Sequence, residues 1–285
     1  MAIRTRRWTT GTIAAGALLA LTACGSAAVG HTSADSRRTA SPSASSAAGQ
    51  GAVGGGGQGG ATPSPTPRAT SGDIAPSGGN AAVDPRIEYT IAHAPGEKNI
   101  ALTFDDGPSP QWTPKILALL AQYHAHATFC QIGPNAQAHP ELVKQIIAAG
   151  DRLCDHTVSH NEQMSRTSVQ NQTREILDAR TMIETAGGPG TQVGWFRAPG
   201  GDFSPVNRHI AAAAGLRPLG WSADSEDWKR PGVPRIVHNV LAQLRPGAIV
   251  LMHDGGGNRG QTVAALAQLL PKLVAQGYTF DFLDK

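Results

Sequence analysis

From residue 100 onward, strand-length apolar runs alternate with segments of helical periodicity. The apolar runs cover residues 100–104, 127–132, 195–196, 216–221, 248–252 and 278–282. Between them, apolar side chains at i, i+3 and i+4 predict helices over residues 112–123, 140–149, 168–185, 206–214, 234–244 and 262–276. Because the apolar runs are nearly continuous, they predict buried parallel strands covered by helices, an α/β fold. The periodicity leaves open whether the sheet closes into a barrel or stays an open doubly wound sheet.

The composition of residues 25–84 excludes this region from a hydrophobic core. It consists almost entirely of Ala, Gly, Ser, Thr and Pro. The Gly-rich run 54–60 is expected to be flexible and the run TPSPTP at residues 62–67 more extended. We therefore predict a disordered tether over residues 24–85 and one folded domain over residues 86–285.

The N-terminal residues have the pattern of an export signal. Arg4, Arg6 and Arg7 precede an apolar run at residues 13–21, which is shorter than the about 20 residues of a transmembrane helix. We predict a signal peptide over residues 1–23, with Sec or twin-arginine export left open. The sequence LTAC that ends at Cys24 resembles the lipobox of bacterial lipoproteins. This resemblance implies lipidation of Cys24 and anchoring to the outer face of the cytoplasmic membrane; an ordinary signal peptide would instead give a secreted protein.

The charge distribution argues against nucleic-acid binding. The formal net charge is +3 at pH 7, and several of the positive charges lie in the signal and tether regions. No cluster of Lys and Arg interleaved with aromatic residues occurs in the predicted folded domain. We expect no nucleic-acid partner. We also predict a monomer, although the sequence itself does not specify the oligomeric state.

Cys130 and Cys154 are the two cysteines of the predicted folded domain. Each lies in a short apolar segment, and neither has a second Cys at the close spacing typical of zinc thiolate sites. In an exported protein, such a pair is a disulfide candidate. Two buried free thiols are the alternative.

Polar residues follow the predicted strands at the point where each strand ends. The positions are Asp105 and Asp106, Asp155 and His156, Arg197, Asp224 and Asp227, and His253 and Asp254. Parallel sheets place their chemistry at the carboxyl ends of the strands, in open sheets and in barrels alike. We therefore expect these side chains to form one site.

A metal site is one interpretation of the residues that follow the apolar run 100–104 and the short segment RLCD at residues 152–155. His156 and His160 are four residues apart, on one face if the segment is helical. Alone, this spacing is common among surface histidines. Asp105 and Asp106 are adjacent and directly follow an apolar strand, so one carboxylate can bind a metal while the other acts as a base. Two His and one carboxylate leave coordination positions open, as in catalytic zinc sites.

Five segments together resemble the motifs of the polysaccharide deacetylases, carbohydrate esterase family four, also called the NodB homology domain. Their sequences, in chain order, are TFDDG at 103–107, HTVSH at 156–160, RAPGG at 197–201, DSEDW at 224–228 and LMHD at 251–254. The resemblance covers residues 98–282. It implies a distorted (β/α) barrel of parallel strands as a single catalytic domain, and an enzyme that hydrolyses N-acetyl groups of a polysaccharide.

The resemblance also implies which residues hold the metal and which one acts as the base. Asp106, His156 and His160 would hold a divalent metal, usually zinc, with cobalt as a second candidate. Asp105 would be the general base. Arg197 would pair with Asp105 and hold it ionised.

The fourth and fifth motifs imply the general acid and its partner. His253 would protonate the leaving sugar amine, and Asp224 would hold the His253 ring and stabilise its charge.

The third and fourth motifs also imply substrate contacts. Backbone N–H groups after Pro199 would stabilise an oxyanion. Many relatives carry Tyr or Phe where this chain has Gly200, so an aromatic wall of the site is expected to be missing. Trp228 would contact the acetyl methyl or a sugar ring; a core position for Trp228 is the alternative.

The leading functional hypothesis is removal of N-acetyl groups from the GlcNAc or MurNAc units of peptidoglycan, because a tether would keep the enzyme near the cell wall. Chitooligosaccharide and acetylxylan are alternative substrates of the same chemistry. A non-catalytic glycan-binding protein on the same fold is the alternative from a different functional class.

Overall fold

The computed structural model describes residues 82–283, in which a parallel β-sheet is surrounded by α-helices. The strands are β1 Asn99–Asp105, β2 Ala127–Gln131, β3 Arg152–Asp155, β4 Trp195–Phe196, β5 Arg217–Pro218, β6 Ala223–Asp224, β7 Ile249–His253 and β8 Thr279–Phe280. The helices are α1 Thr113–Gln122, α2 Gly133–Ala138, α3 Pro140–Ala148, α4 Val169–Gly187, α5 Pro205–Ala213, α6 Val233–Gln243 and α7 Gly260–Ala275. None of these helices combines the length and the apolar character needed to cross a membrane. The predicted signal peptide, Cys24 and residues 24–81 of the predicted tether lie outside the described residues.

The strand order resolves the choice between a barrel and an open doubly wound sheet. The order is β5-β4-β3-β2-β1-β7-β6, and β8 pairs with the start of β1. Strands β1 to β7 therefore follow one another around a ring. Among the strands of residues 82–283, β5–β6 is the one neighbouring pair that is not hydrogen-bonded. In a doubly wound sheet, the order of the strands would instead run outward in both directions from the first strand. The prediction of a distorted (β/α) barrel of parallel strands in a single domain is confirmed.

The period-two alternation of strand side chains separates two apolar cores. Leu102 and Phe104 of β1 belong to the larger core, which packs against the helices, and the Phe104 and Phe129 rings stack 5.3 Å apart. Ala101 belongs to the smaller core on the opposite face of the strands, inside the curled sheet. Asp105, four residues after Ala101, shares its face. The same alternation that fills the core therefore directs the Asp105 carboxylate into the barrel.

The predicted strand over residues 216–221 was too long. Only Arg217–Pro218 pairs with β4, because beyond Leu219 the chain crosses to the other side of the ring. There the N–H of Ser222 donates to Ile249 O, and Ala223–Asp224 pairs with β7 as a separate strand, β6. The short helix α2 was also absent from the prediction.

Cys130 and Cys154 occupy paired positions on β2 and β3, and the structure joins them by a disulfide with Cα atoms 4.1 Å apart. Both side chains are fully buried in the smaller core. Asp105 pairs with Cys130 across the β1–β2 ladder, and His156 directly follows β3. The disulfide therefore ties together two of the strands that present the polar residues.

We expect the double variant Cys130→Ala/Cys154→Ala to be less stable than the wild type by about 3 kcal/mol, the chain-entropy value for a loop of this size. The loop spans 24 residues of sequence separation. Urea unfolding of the oxidised wild type and of the variant measures the difference. Equal unfolding free energies, with two titratable thiols in the untreated wild type, would contradict the disulfide.

Candidate active site

A cavity of about 740 Å³ lies at the carboxyl ends of the strands, where the polar residues were predicted to form one site. Eight of the predicted site residues line it, namely Asp105, Asp106, His156, His160, Gly200, Asp224, Trp228 and His253. A second cavity, of about 380 Å³, lies at the opposite end of β3, β4 and β5 and contains none of the predicted site residues.

The turn after β1 places Asp106 in the cavity. Asp106 has a left-handed backbone conformation, with φ of 74°, and the Asn135 side chain donates to its carbonyl oxygen at 2.9 Å. The carboxylate is buried. Because the backbone changes from an extended to a left-handed conformation at Asp106, the side chains of Asp105 and Asp106 make different contacts.

The HTVSH segment forms a turn and not a helix, so the two histidines converge without sharing a helical face. Thr157 and His160 have φ values of 69° and 52°, which are left-handed conformations incompatible with an α-helix. The Asp155 carboxylate accepts from the N–H of Thr157 at 2.8 Å, and Glu175 of α4 accepts from the N–H of Ser159 at 2.8 Å. The turn brings the two imidazole rings to a centroid distance of 5.0 Å.

Asp106, His156 and His160 have the geometry of a metal-binding set. Asp106 Oδ1 lies 3.5 Å from His156 Nε2 and 3.1 Å from His160 Nε2, and the three ligand atoms lie within 4.8 Å of one another. Asp106 Oδ1 is buried and has no hydrogen-bond partner among the described residues. His156 Nδ1 lies 2.8 Å from Arg197 O, which orients Nε2 toward the cavity. The residues therefore fit a divalent metal with open coordination positions.

The charge state of Asp106 suits this set. Burial by itself would raise the pKa of Asp106, but the close contacts with the His156 and His160 imidazoles and the positive charges of His156 and His253 outweigh burial and lower the pKa well below its ordinary value. Asp106 is therefore ionised over the whole physiological pH range.

Asp105 pairs with Arg197, as the resemblance implied. Arg197 Nη1 donates to Asp105 Oδ1 at 2.7 Å, and the Arg197 side chain is fully buried. Thr103 Oγ1, Leu219 O and Gly220 O accept the remaining Arg197 hydrogen bonds. Asp105 Oδ2 lies 3.7 Å from His156 Nε2, so this second oxygen faces the metal-binding set.

The prediction that Asp224 holds the ring of His253 is wrong, because Asp227 makes this contact. His253 Nδ1 lies 2.6 Å from Asp227 Oδ1, and the His253 N–H donates to Asp227 Oδ2 at 2.9 Å. Thr262 of α7 donates to the same Oδ2 at 2.7 Å. A left-handed Glu226, with φ of 54°, begins the turn that places Asp227 under the imidazole. Asp224 lines the cavity and accepts from the N–H of Glu226 at 2.8 Å instead.

The pKa directions agree with this assignment. Burial raises the pKa of Asp224, whereas the contact with His253 outweighs burial at Asp227 and lowers the pKa of that carboxyl. Burial disfavours the charged form of His253, but the hydrogen bond and charge of Asp227 outweigh it and raise the pKa of His253. The pair is thus an ionised aspartate beside an imidazole biased toward its protonated form.

We expect Asp227→Asn to lower kcat by at least about 100-fold, because a general acid contributes roughly 100- to 10,000-fold. A raised His253 pKa keeps the imidazole protonated to higher pH, so removing the Asp227 charge lowers that pKa. The basic limb of the pH–kcat profile should therefore move to lower pH. Asp224→Asn serves as the matched control; a shift in this variant and none in Asp227→Asn would contradict the assignment.

The Pro199–Gly201 turn forms one wall of the cavity. Pro199 itself is buried, and its neighbours Ala198 and Gly200 line the cavity. Gly200 has a φ of 59°, and a Cβ atom at this position would lie 3.2 Å from Glu162 Cγ. Glu162 therefore fills the space beside Gly200, where the aromatic wall was expected to be missing.

Trp228 lies at the rim of the cavity. Its side chain is 51% exposed, which excludes the core position that the sequence left open. Lys229 Nζ lies 4.9 Å from the centroid of the Trp228 ring. An exposed indole on the cavity rim suits contact with a sugar ring.

Sequence reasoning missed two residues that contact the site from the start of α7. Arg259 lies against Asp106, with Nη2 3.4 Å from Oδ2, and Thr262 binds Asp227. Neither residue belongs to the five motifs. The only sequence signal was their position shortly after LMHD, at the carboxyl end of a strand.

Comparison with known proteins gives the family. The polysaccharide deacetylase profile matches residues 92–219. A peptidoglycan-N-acetylglucosamine deacetylase of Bacillus cereus is 43% identical over 192 residues, which cover 65% of this chain and 85% of that protein. A chitooligosaccharide deacetylase of Sinorhizobium fredii is 39% identical over 200 residues, which cover 67% and 92%.

A solved structure shares the fold. It is a pseudoenzyme of carbohydrate esterase family four from Bacillus anthracis, with a TM-score of 0.63 and 29% identity, covering 70% of this chain and 67% of that one. Sequence and fold comparisons thus agree with the five motifs. The chain therefore belongs to the polysaccharide deacetylase family, carbohydrate esterase family four, and the prediction of a polysaccharide deacetylase is confirmed.

Proposed function

We propose that this protein is a metal-dependent hydrolase that removes N-acetyl groups from the GlcNAc or MurNAc units of peptidoglycan. One observation carries the proposal. Three groupings, the Asp106–His156–His160 set, the Asp105–Arg197 pair and the His253–Asp227 pair, converge at one cavity. The peptidoglycan-N-acetylglucosamine deacetylase of B. cereus supports the choice of polymer.

The proposed cofactor is a divalent metal, zinc first and cobalt second. Asp106, His156 and His160 would hold it, since two imidazoles and one carboxylate are typical ligands of catalytic zinc. A metal bound there would supply Lewis-acid polarisation of the acetyl carbonyl and would lower the pKa of the attacking water toward neutrality.

Two carboxylates and an imidazole divide the proton transfers. Asp105, held by Arg197, accepts the proton of the water whose oxygen attacks the acetyl carbon. The Gly201 N–H already donates to Ala198 O, so the Gly200 N–H is the donor of this turn that remains for the oxyanion. His253 then donates its proton to the sugar nitrogen as the carbon–nitrogen bond breaks, which yields acetate and a free amine. Asp227 stabilises the protonated ring before this transfer.

The polymer is tested by measuring acetate release from three substrates with zinc supplied. Peptidoglycan should give the largest kcat/KM, chitooligosaccharides less, and acetylxylan least. The chitooligosaccharide deacetylase of S. fredii favours the second substrate as the alternative. Release from acetylxylan alone would overturn the proposed substrate class.

A non-catalytic glycan-binding function is the competing proposal. The similar structure from B. anthracis is described as a pseudoenzyme of the same family. The residues present here argue against a non-catalytic function. The proposed base, the three metal-binding residues and the proposed acid are all present, and each contacts a partner within the site. Glycan binding without acetate release in the presence of zinc or cobalt would favour the competing function.

We also propose that the protein is exported and anchored to the outer face of the cytoplasmic membrane through a diacylated Cys24. The LTAC sequence and the basic and apolar residues before it support this proposal. Mass spectrometry of the mature protein should find Cys24 at the N-terminus with the mass of an attached lipid. A mature N-terminus elsewhere, without lipid, would indicate a secreted protein.

A further inference from the structure

A second buried arginine lies beside the metal-binding set. Arg259 precedes α7 at the end of the loop that follows β7, and its side chain is 6% exposed. A guanidinium in such a position remains charged and must be stabilised by acceptors around it. Its acceptors therefore indicate what the side chain does.

Two of these acceptors fix the guanidinium in place. Arg259 Nε donates to Gly255 O, and Nη2 donates to Gly256 O at 3.2 Å. The third is Asp106 Oδ2, 3.4 Å from Nη2. Because the carbonyl groups of Gly255 and Gly256 hold the guanidinium, it faces Asp106 in a defined position.

The loop is built to approach Asp106 closely. A Cβ atom on Gly256 would lie 2.3 Å from Asp106 Oδ2, and one on Gly255 would lie 2.1 Å from Asp106 O. Trp112 Nε1 donates to Gly257 O at 2.9 Å and secures the loop from the α1 side. Only glycine permits this backbone to pass so near the carboxylate.

The two oxygens of Asp106 consequently have different environments. Oδ1 faces His156 and His160, and Oδ2 faces Arg259. Asp105 is divided in a similar way, with Oδ1 on Arg197 and Oδ2 toward His156. Each of the two adjacent acids therefore has its own buried arginine.

We propose that Arg259 is a positioning residue that occupies one oxygen of Asp106 and so presents the other oxygen alone to the metal. This inference rests on the proposed metal site. Single-oxygen coordination by Asp106 keeps more positions open for water and for the acetyl oxygen. Arg259 does for the metal ligand what Arg197 does for the base.

Simple electrostatics and a positioning role predict opposite changes in metal affinity when the Arg259 charge is removed. A positive charge near a cation site weakens metal binding through repulsion, so removing it would strengthen binding. A positioning role predicts the opposite, because partners of metal ligands typically contribute 10- to 100-fold in affinity.

The test compares three variants of the full chain for zinc and cobalt affinity, measured by competition with a chelator. Arg259→Gln should bind both metals about 10- to 100-fold more weakly than the wild type. Arg259→Lys keeps the positive charge but loses the forked guanidinium, so its metal affinity should lie between those of the wild type and Arg259→Gln.

Arg180→Gln is the matched control. Arg180 is also largely buried, and its side chain bonds Glu184 and Ala214 O rather than any of the three metal-binding residues. Its loss should leave metal affinity unchanged.

Two further readouts separate positioning from general stabilisation. The lost activity of Arg259→Gln should return as the zinc concentration is raised, and the absorption spectrum of the cobalt form should change. A lowered unfolding temperature of the metal-free protein with wild-type or tighter metal affinity would overturn the proposal. If Arg259→Gln does not fold, the metal affinity of Arg259→Lys decides by the same criterion. These affinities are measured without substrate, so a wild type that binds zinc but releases no acetate would overturn the proposed function alone.

Discussion

Asp105→Asn is expected to lower kcat for acetate release by about 100- to 10,000-fold, the usual contribution of a general base. The amide has nearly the same shape as the carboxylate but cannot accept the proton of the attacking water. Asp105 does not belong to the metal-binding set, so zinc affinity should stay within a few-fold of the wild type. Acetate release and zinc titration on the same preparation measure both quantities.

The fold should survive this substitution. Arg197 loses its charged partner, yet Thr103 Oγ1, Leu219 O and Gly220 O still accept its hydrogen bonds. Asp178→Asn, at an exposed position of α4, is the control for removing one acid. Wild-type turnover by Asp105→Asn would contradict the role of Asp105 as the base.

His160→Ala is expected to remove both metal binding and turnover. The loss of one of three ligands should weaken zinc binding by more than about 100-fold, beyond the usual effect of a residue that only supports a ligand. His160 is the better choice of the two histidines. Its side chain is 30% exposed, whereas His156 is buried and contacts the Arg197 carbonyl, so that its removal would also disturb the core.

The control for this variant is His238→Ala, at an exposed position of α6. It should bind zinc and release acetate like the wild type. Retained zinc affinity in His160→Ala would contradict the metal-binding set. Retained activity in the presence of a strong chelator would contradict the metal dependence itself.

The sequence was sufficient to predict those features that depend on local pattern. Apolar runs and helical periodicity located β1, β2, β7 and most helices, because these elements are long and buried on a regular face. The sites of parallel sheets lie at the carboxyl ends of the strands. This rule and the five motifs together predicted eight of the residues that line the cavity.

The features that the sequence did not predict depend on backbone turns and on long-range contacts. Within DSEDW, two residues separate Asp224 from Asp227, and only the left-handed turn at Glu226 decides which one reaches His253. The spacing of HTVSH would place both imidazoles on one face of a helix, but left-handed residues bring them together in a turn instead. Arg259 contacts Asp106 across 153 positions of sequence, and no local pattern encodes such a contact.

The central claim is that this chain removes N-acetyl groups from peptidoglycan with the residues gathered around Asp106. The most direct measurement treats whole peptidoglycan with the purified full chain and zinc, then digests it to disaccharide units and identifies each amino sugar. We predict that free glucosamine or muramic acid units appear in amounts equal to the acetate released, and that neither appears with Asp105→Asn. Fully acetylated disaccharides after treatment with the zinc-bound wild type would contradict the claim.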